Sequence, residues 1–425
     1  MKNKQTLDQE LHSRKLHIPP AWLYGILMLV IKILNKKTKT EFTYKAYPGK
    51  EEGPIVMVAN HSSRVEYQFT APCCLPKRLN FVVGYNEFFR FPLSIILKLM
   101  QVVPKKNFTP DVYCVKQILS IVKQGGSICI MPEGMSSITG MAQPVIPGGA
   151  KLVKKLGIPV YYSKLSGAYM TYTKHCLDER VGKVEVVVDK MFSADELKTM
   201  TEEQIEDKMN RLLAHDDYIW NKEKQIKFNG KGQMAKNLGE LLYLCPKCGA
   251  MHQMEESGNI MRCKVCGNTI EIDECYNIKA LDGGVCPKLV TDWTIMEREK
   301  AAEDVRKDDF TFSEHVKVGL LPDYKLLAHE DTSIICGDGI LSLDKQGLHF
   351  SGTVKGQPYN FDLTHDEVPT FGMCTDISRF YTFVEGRFIE FYPDSRDVLR
   401  WDHLTEEMHR YCGGKWQNTE YRHTV

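Results

Sequence analysis

Two Cys-x-x-Cys-Gly knuckles, Cys245-Pro246-Lys247-Cys248-Gly249 and Cys263-Lys264-Val265-Cys266-Gly267, constrain this chain more than any other feature. Four thiolates at that spacing can enclose one tetrahedral Zn²⁺, and the glycines permit the tight turn after each pair. With sulfur in all four positions no coordination site stays open, so a structural zinc on Cys245, Cys248, Cys263 and Cys266 is expected. A disulfide pair or a redox motif is the alternative. His252 and Cys275 lie nearby and read as bystanders. Cys73, Cys74, Cys114 and Cys129 follow no knuckle spacing, and several sit in apolar runs. They read as free, buried thiols of a reducing cytoplasm.

Periodicity divides the rest of the 425 residues, which have room for about three domains. Between 53 and 191, short β-rich runs (54–59, 79–83, 127–131, 160–163, 184–188) alternate with helix-like segments, the signature of an α/β layer structure. Residues 196–226 read as helical and polar. From about 311 the pattern becomes strand and turn, with hairpins turning at Asp344-Lys345-Gln346-Gly347 and at Glu385-Gly386. A final helix would place Leu404, Met408 and Tyr411 on one face. The expected organisation is an N-terminal segment (1–45), an α/β domain with a mixed sheet flanked by helices (46–225), and the zinc ribbon (240–275). A helical linker (276–310) then leads to a β-rich domain (311–425) that is similar in order to a pleckstrin-homology or GRAM-like barrel. That last domain reads as a membrane or partner adaptor, or as a structural cap.

The net charge is +1, so no global field points to nucleic acid as a partner. Residues 1–50 nevertheless hold ten basic and three acidic side chains. They bracket the apolar run 21–31, which is broken by Lys32 and shorter than the roughly 18–20 residues a membrane span needs. Pro19-Pro20 would open a helix there, and Trp22 and Tyr24 suit a membrane interface. The expectation is a helix lying in one leaflet, peripheral or monotopic on the cytoplasmic inner face, with Lys36, Lys37 and Lys39 facing anionic head groups. The alternative is an ordinary helix packed on the domain behind it.

Two sites follow β-rich runs. Ile55 to Ala59 leads into Asn60-His61-Ser62-Ser63-Arg64-Val65-Glu66. A carboxylate five residues on can return to the imidazole if the chain turns helical, and it would make the other ring nitrogen a better general base. Ser127 to Met131 leads into Pro132-Glu133-Gly134-Met135-Ser136-Ser137, where Pro and Gly set a sharp exit that would project Glu133 toward the same crevice.

Here the chain resembles the glycerophospholipid acyltransferase family, typified by 1-acylglycerol-3-phosphate acyltransferase. Four blocks recur in order over roughly residues 20–220. They are Asn60-His61 with Glu66; Phe88-Phe89-Arg90-Phe91-Pro92 through Val102-Val103-Pro104-Lys105-Lys106-Asn107; Met131 to Ser137; and Pro147-Gly148-Gly149-Ala150 with Ile158-Pro159-Val160. The resemblance implies a membrane-associated O-acyltransferase that moves a fatty acyl group from acyl-CoA or acyl carrier protein to the hydroxyl of a lysophospholipid or glycerol-phosphate lipid. His61, oriented by Glu66, would be the base, and backbone amides after Pro132 or near Ser62 would steady the oxyanion. Asn60, Lys105, Lys106, Pro132, Glu133, Gly134 and Ser136 would line the substrate site. The chain departs from the family at Glu66, where Asp is usual, and at Asn107 and Ser136, where arginines are expected to grip the acceptor's phosphate. Neither replacement offers a guanidinium fork. The departures favour an acceptor whose phosphate is already diesterified, or another lipid alcohol. A lipid-binding scaffold with a decayed catalytic core is the other reading, against which stand His61 and Pro132-Glu133-Gly134.

Overall fold

The computed structural model describes residues 5–146, 148–395 and 397–414. Lys2, Lys4, Pro147 of the fourth block and residues 415–425 of the last domain lie outside them. Seven strands form the first sheet: β1 (Glu41–Tyr44), β2 (Val56–Ala59), β3 (Leu79–Gly84), β4 (Val103–Lys105), β5 (Ser127–Ile130), β6 (Val160–Ser166) and β7 (Glu185–Phe192). Their order is β1-β7-β6-β2-β5-β3-β4. Strands β6, β2, β5, β3 and β4 run parallel, whereas β7 is antiparallel to β6 and pairs in parallel with β1. The sheet is therefore mixed, and it begins at Glu41, inside the segment assigned to the N-terminal helix.

Alternate residues of the central strands feed two different cores, as the two-residue period of a doubly covered sheet requires. Met57, Cys129 and Tyr161 face a cluster shared with the helices Leu7–Ser13, Ala21–Lys37 and Leu93–Leu99. Val56, Val58, Ile128, Ile130 and Tyr162 face the helices Val112–Lys123, Gly149–Leu156 and Glu202–Leu213. Cys73, Cys74, Cys114 and Cys129 are free and buried.

The helix Ala21–Lys37 turns Tyr24 and Ile31 into the core and leaves Trp22, Ile26, Leu29, Val30 and Ile33 exposed. Its apolar stripe is thus unpartnered. Among the described residues no helix is long and apolar enough to cross a membrane. A second apolar patch, Phe91, Ile95, Ile96 and Leu99, stands exposed on and beside the helix Leu93–Leu99. The segment between the first two helices joins the two regions: Arg14 donates to the Lys98 carbonyl at 2.7 Å, and the His17 amide donates to Gln101 Oε1 at 3.2 Å.

The cysteine knuckles belong to a four-stranded antiparallel sheet: β8 (Met254–Ser257), β9 (Ile260–Cys263), β10 (Thr269–Ile272) and β11 (Ile278–Leu281). Because β11 pairs with β10, this module runs past the expected 275 boundary, and the linker's helix is Val290–Val305. The last domain contains β12 (Thr311–Leu320), β13 (Ile334–Asp344), β14 (Leu348–Val354), β15 (Gln357–Leu363), β16 (Gly372–Met373), β17 (Phe380–Val384) and β18 (Arg387–Pro393). A four-strand meander and a three-strand meander join where β12 pairs with β18, giving the order β15-β14-β13-β12-β18-β17-β16. The helix Val398–Tyr411 packs on this sheet through Trp401, Leu404 and Met408. Tyr411, expected on the same face, is exposed, and Lys345 Nζ lies 5.3 Å from its ring centroid.

These modules are not beads on a string. One continuous core joins Met135, Ile138, Tyr169 and Met170 of the α/β domain to the knuckle module and to the β-rich domain. The Trp293 indole donates to the Leu244 carbonyl at 2.7 Å and the Leu244 amide donates to buried Glu297 at 2.9 Å, pinning the linker helix beside the first knuckle.

Candidate active site

Strands β2 and β5 are adjacent, parallel and central, so the loops leaving their carboxyl ends open into one crevice. The first loop carries His61 and the second Glu133. A short helix, Tyr67–Thr70, starts directly after Glu66 and swings that carboxylate back: Glu66 Oε1 lies 2.9 Å from His61 Nδ1 and also accepts the Ser63 amide. The extra methylene relative to aspartate is absorbed by this turn. Glu66 is buried, whereas the His61 side chain keeps 23% of its surface. A carboxylate accepting from Nδ1–H leaves the lone pair on Nε2, the arrangement of a general base.

Glu133 ties the two loops together. Its Oε1 accepts the His61 amide at 2.7 Å and its Oε2 the Gln143 amide at 2.7 Å. Burial pushes this carboxyl up to about 7, although the two amides and nearby His61 favour its charged form. Gly134 turns with φ +79, and a Cβ there would meet Ile146 at 3.0 Å and the Phe108 ring at 3.2 Å. Glycine thus serves both turn and packing. The Pro132 carbonyl accepts the Ile146 amide at 2.8 Å, and Ser136 is half-buried on the same loop.

Of the remaining residues expected at the substrate site, Asn60 borders His61 but is committed to the sheet, and Lys105 and Lys106 are held elsewhere. Asn60 is buried, and its side-chain amide bridges to β6, donating to the Leu165 carbonyl at 2.9 Å and accepting the Leu165 amide at 2.7 Å. It braces the strand end from which His61 projects. Lys105 Nζ donates to the Lys106 carbonyl at 2.9 Å. Lys106 Nζ donates to the Gly386 carbonyl at 2.8 Å and lies over the Tyr85 and Phe383 rings at 5.1 and 5.9 Å. Asn107 Nδ2 donates to the Tyr381 hydroxyl at 3.2 Å. The β17–β18 hairpin therefore occupies both side chains that follow β4. Around the seam, the Phe91 amide donates to the Leu327 carbonyl at 2.9 Å and the Met373 amide to Met135 Sδ at 3.1 Å.

A narrow pocket that opens to solvent lies beside His61. Asn60, His61, Ser62, Glu133, Ser137 and His215 line it, with residues 140–142. Three of these, Ser62, Ser137 and His215, were not anticipated as site residues. His215 precedes the helix Asp217–Lys224, and its Nε2 lies 2.7 Å from Asp217 Oδ1. His-Asp-Asp at a helix start was the available signal, but nothing local links residue 215 to residue 61.

A second cluster matches the cysteine spacing. The Sγ atoms of Cys245 and Cys266 are 3.7 Å apart and those of Cys248 and Cys263 3.8 Å, with all four within 4.8 Å of one another. Tetrahedral Zn–S bonds of about 2.3 Å imply sulfur edges near 3.8 Å, so the donor set fits a metal of that size. Gly249 and Gly267 take φ +72 and +70, and their amides donate to the first cysteine carbonyl of each knuckle at 2.9 Å.

Comparison with known proteins bears on the first site. Residues 35–162 match the family model "Acyltransferase". The chloroplastic 1-acyl-sn-glycerol-3-phosphate acyltransferase BAT2 of Brassica napus is 30% identical over 116 residues, 27% of this chain and 33% of that protein. The 1-acyl-sn-glycerol-3-phosphate acyltransferase of Cocos nucifera is 24% identical over 187 residues, 43% of this chain and 59% of that protein. Among solved structures, the 1-acyl-sn-glycerophosphate acyltransferase of Thermotoga maritima aligns with 17% identity and a TM-score of 0.36, covering 44% of this chain and 77% of that one. The chain thus spans from a third to three fifths of these curated relatives, and the similarity supports an acyltransferase-family domain at residues 35–162.

Two outcomes follow from the geometry. Asn60→Ala leaves the Leu165 amide and carbonyl buried without their partner, and equilibrium denaturation should show a loss of about 3 kcal/mol. For Glu133 the folded state holds its proton more tightly than the unfolded chain, because burial raises its pKa from 4.5 to about 7. The stability it contributes is present in full below pH 4.5 and declines as pH rises toward 7, by about 3 kcal/mol. The stability difference between wild type and Glu133→Gln should accordingly shift by that amount in favour of the variant over this window.

Proposed function

We propose that this chain is a membrane-associated O-acyltransferase that moves a fatty acyl group from acyl-CoA or acyl carrier protein to the hydroxyl of a lysophospholipid. The observation that carries the reading is the His61–Glu66 pair, with Nδ1 held by the buried carboxylate at the edge of the cavity. In the reaction, His61 Nε2 takes the acceptor's hydroxyl proton while that oxygen bonds to the thioester carbonyl carbon. The C–S bond then breaks, and the imidazolium returns the proton to the departing thiolate.

The charge around the site favours an acceptor whose phosphate is already diesterified. Lysine and arginine are absent from the cavity's lining residues, and Lys106 and Asn107 are engaged by the β17–β18 hairpin. The relatives are named for 1-acylglycerol-3-phosphate as acceptor. The chemistry proposed in common is acylation of a lysolipid hydroxyl.

Membrane association is supported by the exposed stripe of Trp22, Ile26, Leu29, Val30 and Ile33 and by the patch of Phe91, Ile95, Ile96 and Leu99. Exposed Lys32 and Lys36 stand where anionic head groups would meet them. The free, buried cysteines suit the cytoplasmic side. Four-plus-three antiparallel strands and a closing helix support a pleckstrin-homology or GRAM-like reading of the last domain. Zinc on Cys245, Cys248, Cys263 and Cys266 would hold the two knuckles together.

His61→Ala should lower acyl transfer by about 10²–10⁴-fold, the usual weight of a general base, with products read by mass over a panel of lysolipids and both donor types. Wild-type protein that binds lipid but acylates no acceptor would instead establish a scaffold. Elemental analysis of the purified protein should find zinc equimolar with the chain, and Cys248→Ser should lose the metal and melt at a lower temperature.

A further inference from the structure

Away from the His61 site and the knuckles, a third group of side chains has metal-ligating chemistry: His365, Asp366 and His409. One ligand atom from each lies within 4.8 Å of the others. Two of the three belong to the turn that follows β15, and the third to the last turn of the helix Val398–Tyr411. The fold, not the local sequence, brings them together.

Their separations suit ligands around an ion better than groups that bond one another. Asp366 Oδ1 lies 3.7 Å from His365 Nδ1 and 3.6 Å from His409 Nδ1, both beyond hydrogen-bond length. Two donors at about 2.1 Å from one tetrahedral ion stand about 3.4 Å apart, so a small shift of the exposed Asp366 side chain completes the set. His365 Nδ1 is buried and has no hydrogen-bond partner among the described residues. A ring nitrogen left so is costly unless a ligand meets it.

His409 is held ready. Its side chain keeps only 7% of its surface, and Gly414 closes off the Nε2 edge, where a Cβ would run into the ring. Nδ1 lies on the other edge, 2.9 Å from the His365 carbonyl oxygen. A carbonyl only accepts, so this nitrogen carries a proton that an arriving ion displaces. The turn opposite is fixed as well. Glu367 Oε2 accepts the amide and the hydroxyl of Thr364 at 2.9 Å, and the amides of Glu367 and Val368 donate to the Thr364 carbonyl at 3.0 and 3.2 Å.

Charge favours a cation here. The last carbonyls of a helix present the negative end of its dipole, and His409 sits among them beside the Asp366 carboxylate. Arg410, the next helical residue, donates to Glu407 at 3.0 and 3.1 Å. Among the described residues Asp366 pairs with no lysine or arginine.

We propose that His365 Nδ1, Asp366 Oδ1 and His409 Nδ1 form a binding site for a divalent transition-metal ion such as Zn²⁺, which clips the end of the last helix to the turn after β15. Two imidazoles and one carboxylate suit such an ion better than Ca²⁺ or Mg²⁺, and water can complete the shell on the exposed Asp366 side. The site is independent of the acyl-transfer reading.

The test adds Zn²⁺ to untagged full-length protein whose four-cysteine zinc has already been counted, with binding followed by titration calorimetry and unfolding by scanning calorimetry. One further equivalent should bind, and the melting temperature should rise with free Zn²⁺. Co²⁺ taken up by this site should give visible d–d bands without thiolate-to-metal charge transfer. Asp366→Asn and His365→Ala should each weaken the further equivalent by more than about 100-fold and remove the Zn²⁺-dependent rise in melting temperature, while the four-cysteine equivalent stays. His409→Ala should do the same; should it fail to fold, the exposed Asp366 and half-buried His365 decide. Wild-type protein that takes up no further equivalent would overturn the site. So would a further equivalent that persists undiminished in Asp366→Asn and His365→Ala.

Discussion

The carboxyl group of Glu133 is the joint on which the site depends. It leaves the end of β5, enters the protein interior and receives the backbone amide of His61 from the end of β2 and that of Gln143 from its own loop. Parallel strands carry no hairpin to align their ends, so loops leaving two such strands need a tie of their own. Burying a carboxyl opposes its ionisation, which is why its pKa rises even with two donors pointing at it. The same loops then hold His61 against Glu66 and fold Ser137 back onto the His61 carbonyl. Two loops joined by these hydrogen bonds thus form one seat for the imidazole.

The second constraint is the shared core. The knuckle module, the linker helix and the β-rich domain bury their apolar surface together with Met135, Ile138, Tyr169 and Met170, directly behind the Glu133 loop. The β17–β18 hairpin meanwhile satisfies Lys106 and Asn107, which follow β4. An isolated ammonium or amide at that edge would be free to meet an anionic ligand. Here both are already paired, so the extra domains decide what these two side chains can bind as well as extending the chain.

Much of this was legible residue by residue. The alternation of short apolar runs between 53 and 191 located β2, β3, β5, β6 and β7, because burial on both faces demands continuous apolar strands. The Glu385-Gly386 turn located the β17–β18 hairpin, and Cys-x-x-Cys-Gly located the thiol cluster. The β1 strand was missed because Glu41–Tyr44 is short and largely exposed, leaving no apolar signature. Tyr411 was misplaced because spacing alone extends the helical stripe to it, whereas the folded chain leaves it exposed beside Lys345.

By itself the sequence determined which groups could do chemistry: an imidazole with a carboxylate five residues away, a second carboxyl after an apolar strand, and four thiols in two knuckles. Those are local facts, set by spacing along the backbone and by the turn each motif can make. Only the tertiary structure decided which of the remaining groups face the imidazole. His215 reaches the cavity from more than 150 residues away, while Lys105 and Lys106, much nearer in sequence, are drawn off to carbonyl partners. The physical reason is that a polar group's role depends on whether folding has already satisfied it, and its partners come from strands and domains that no local pattern brings together.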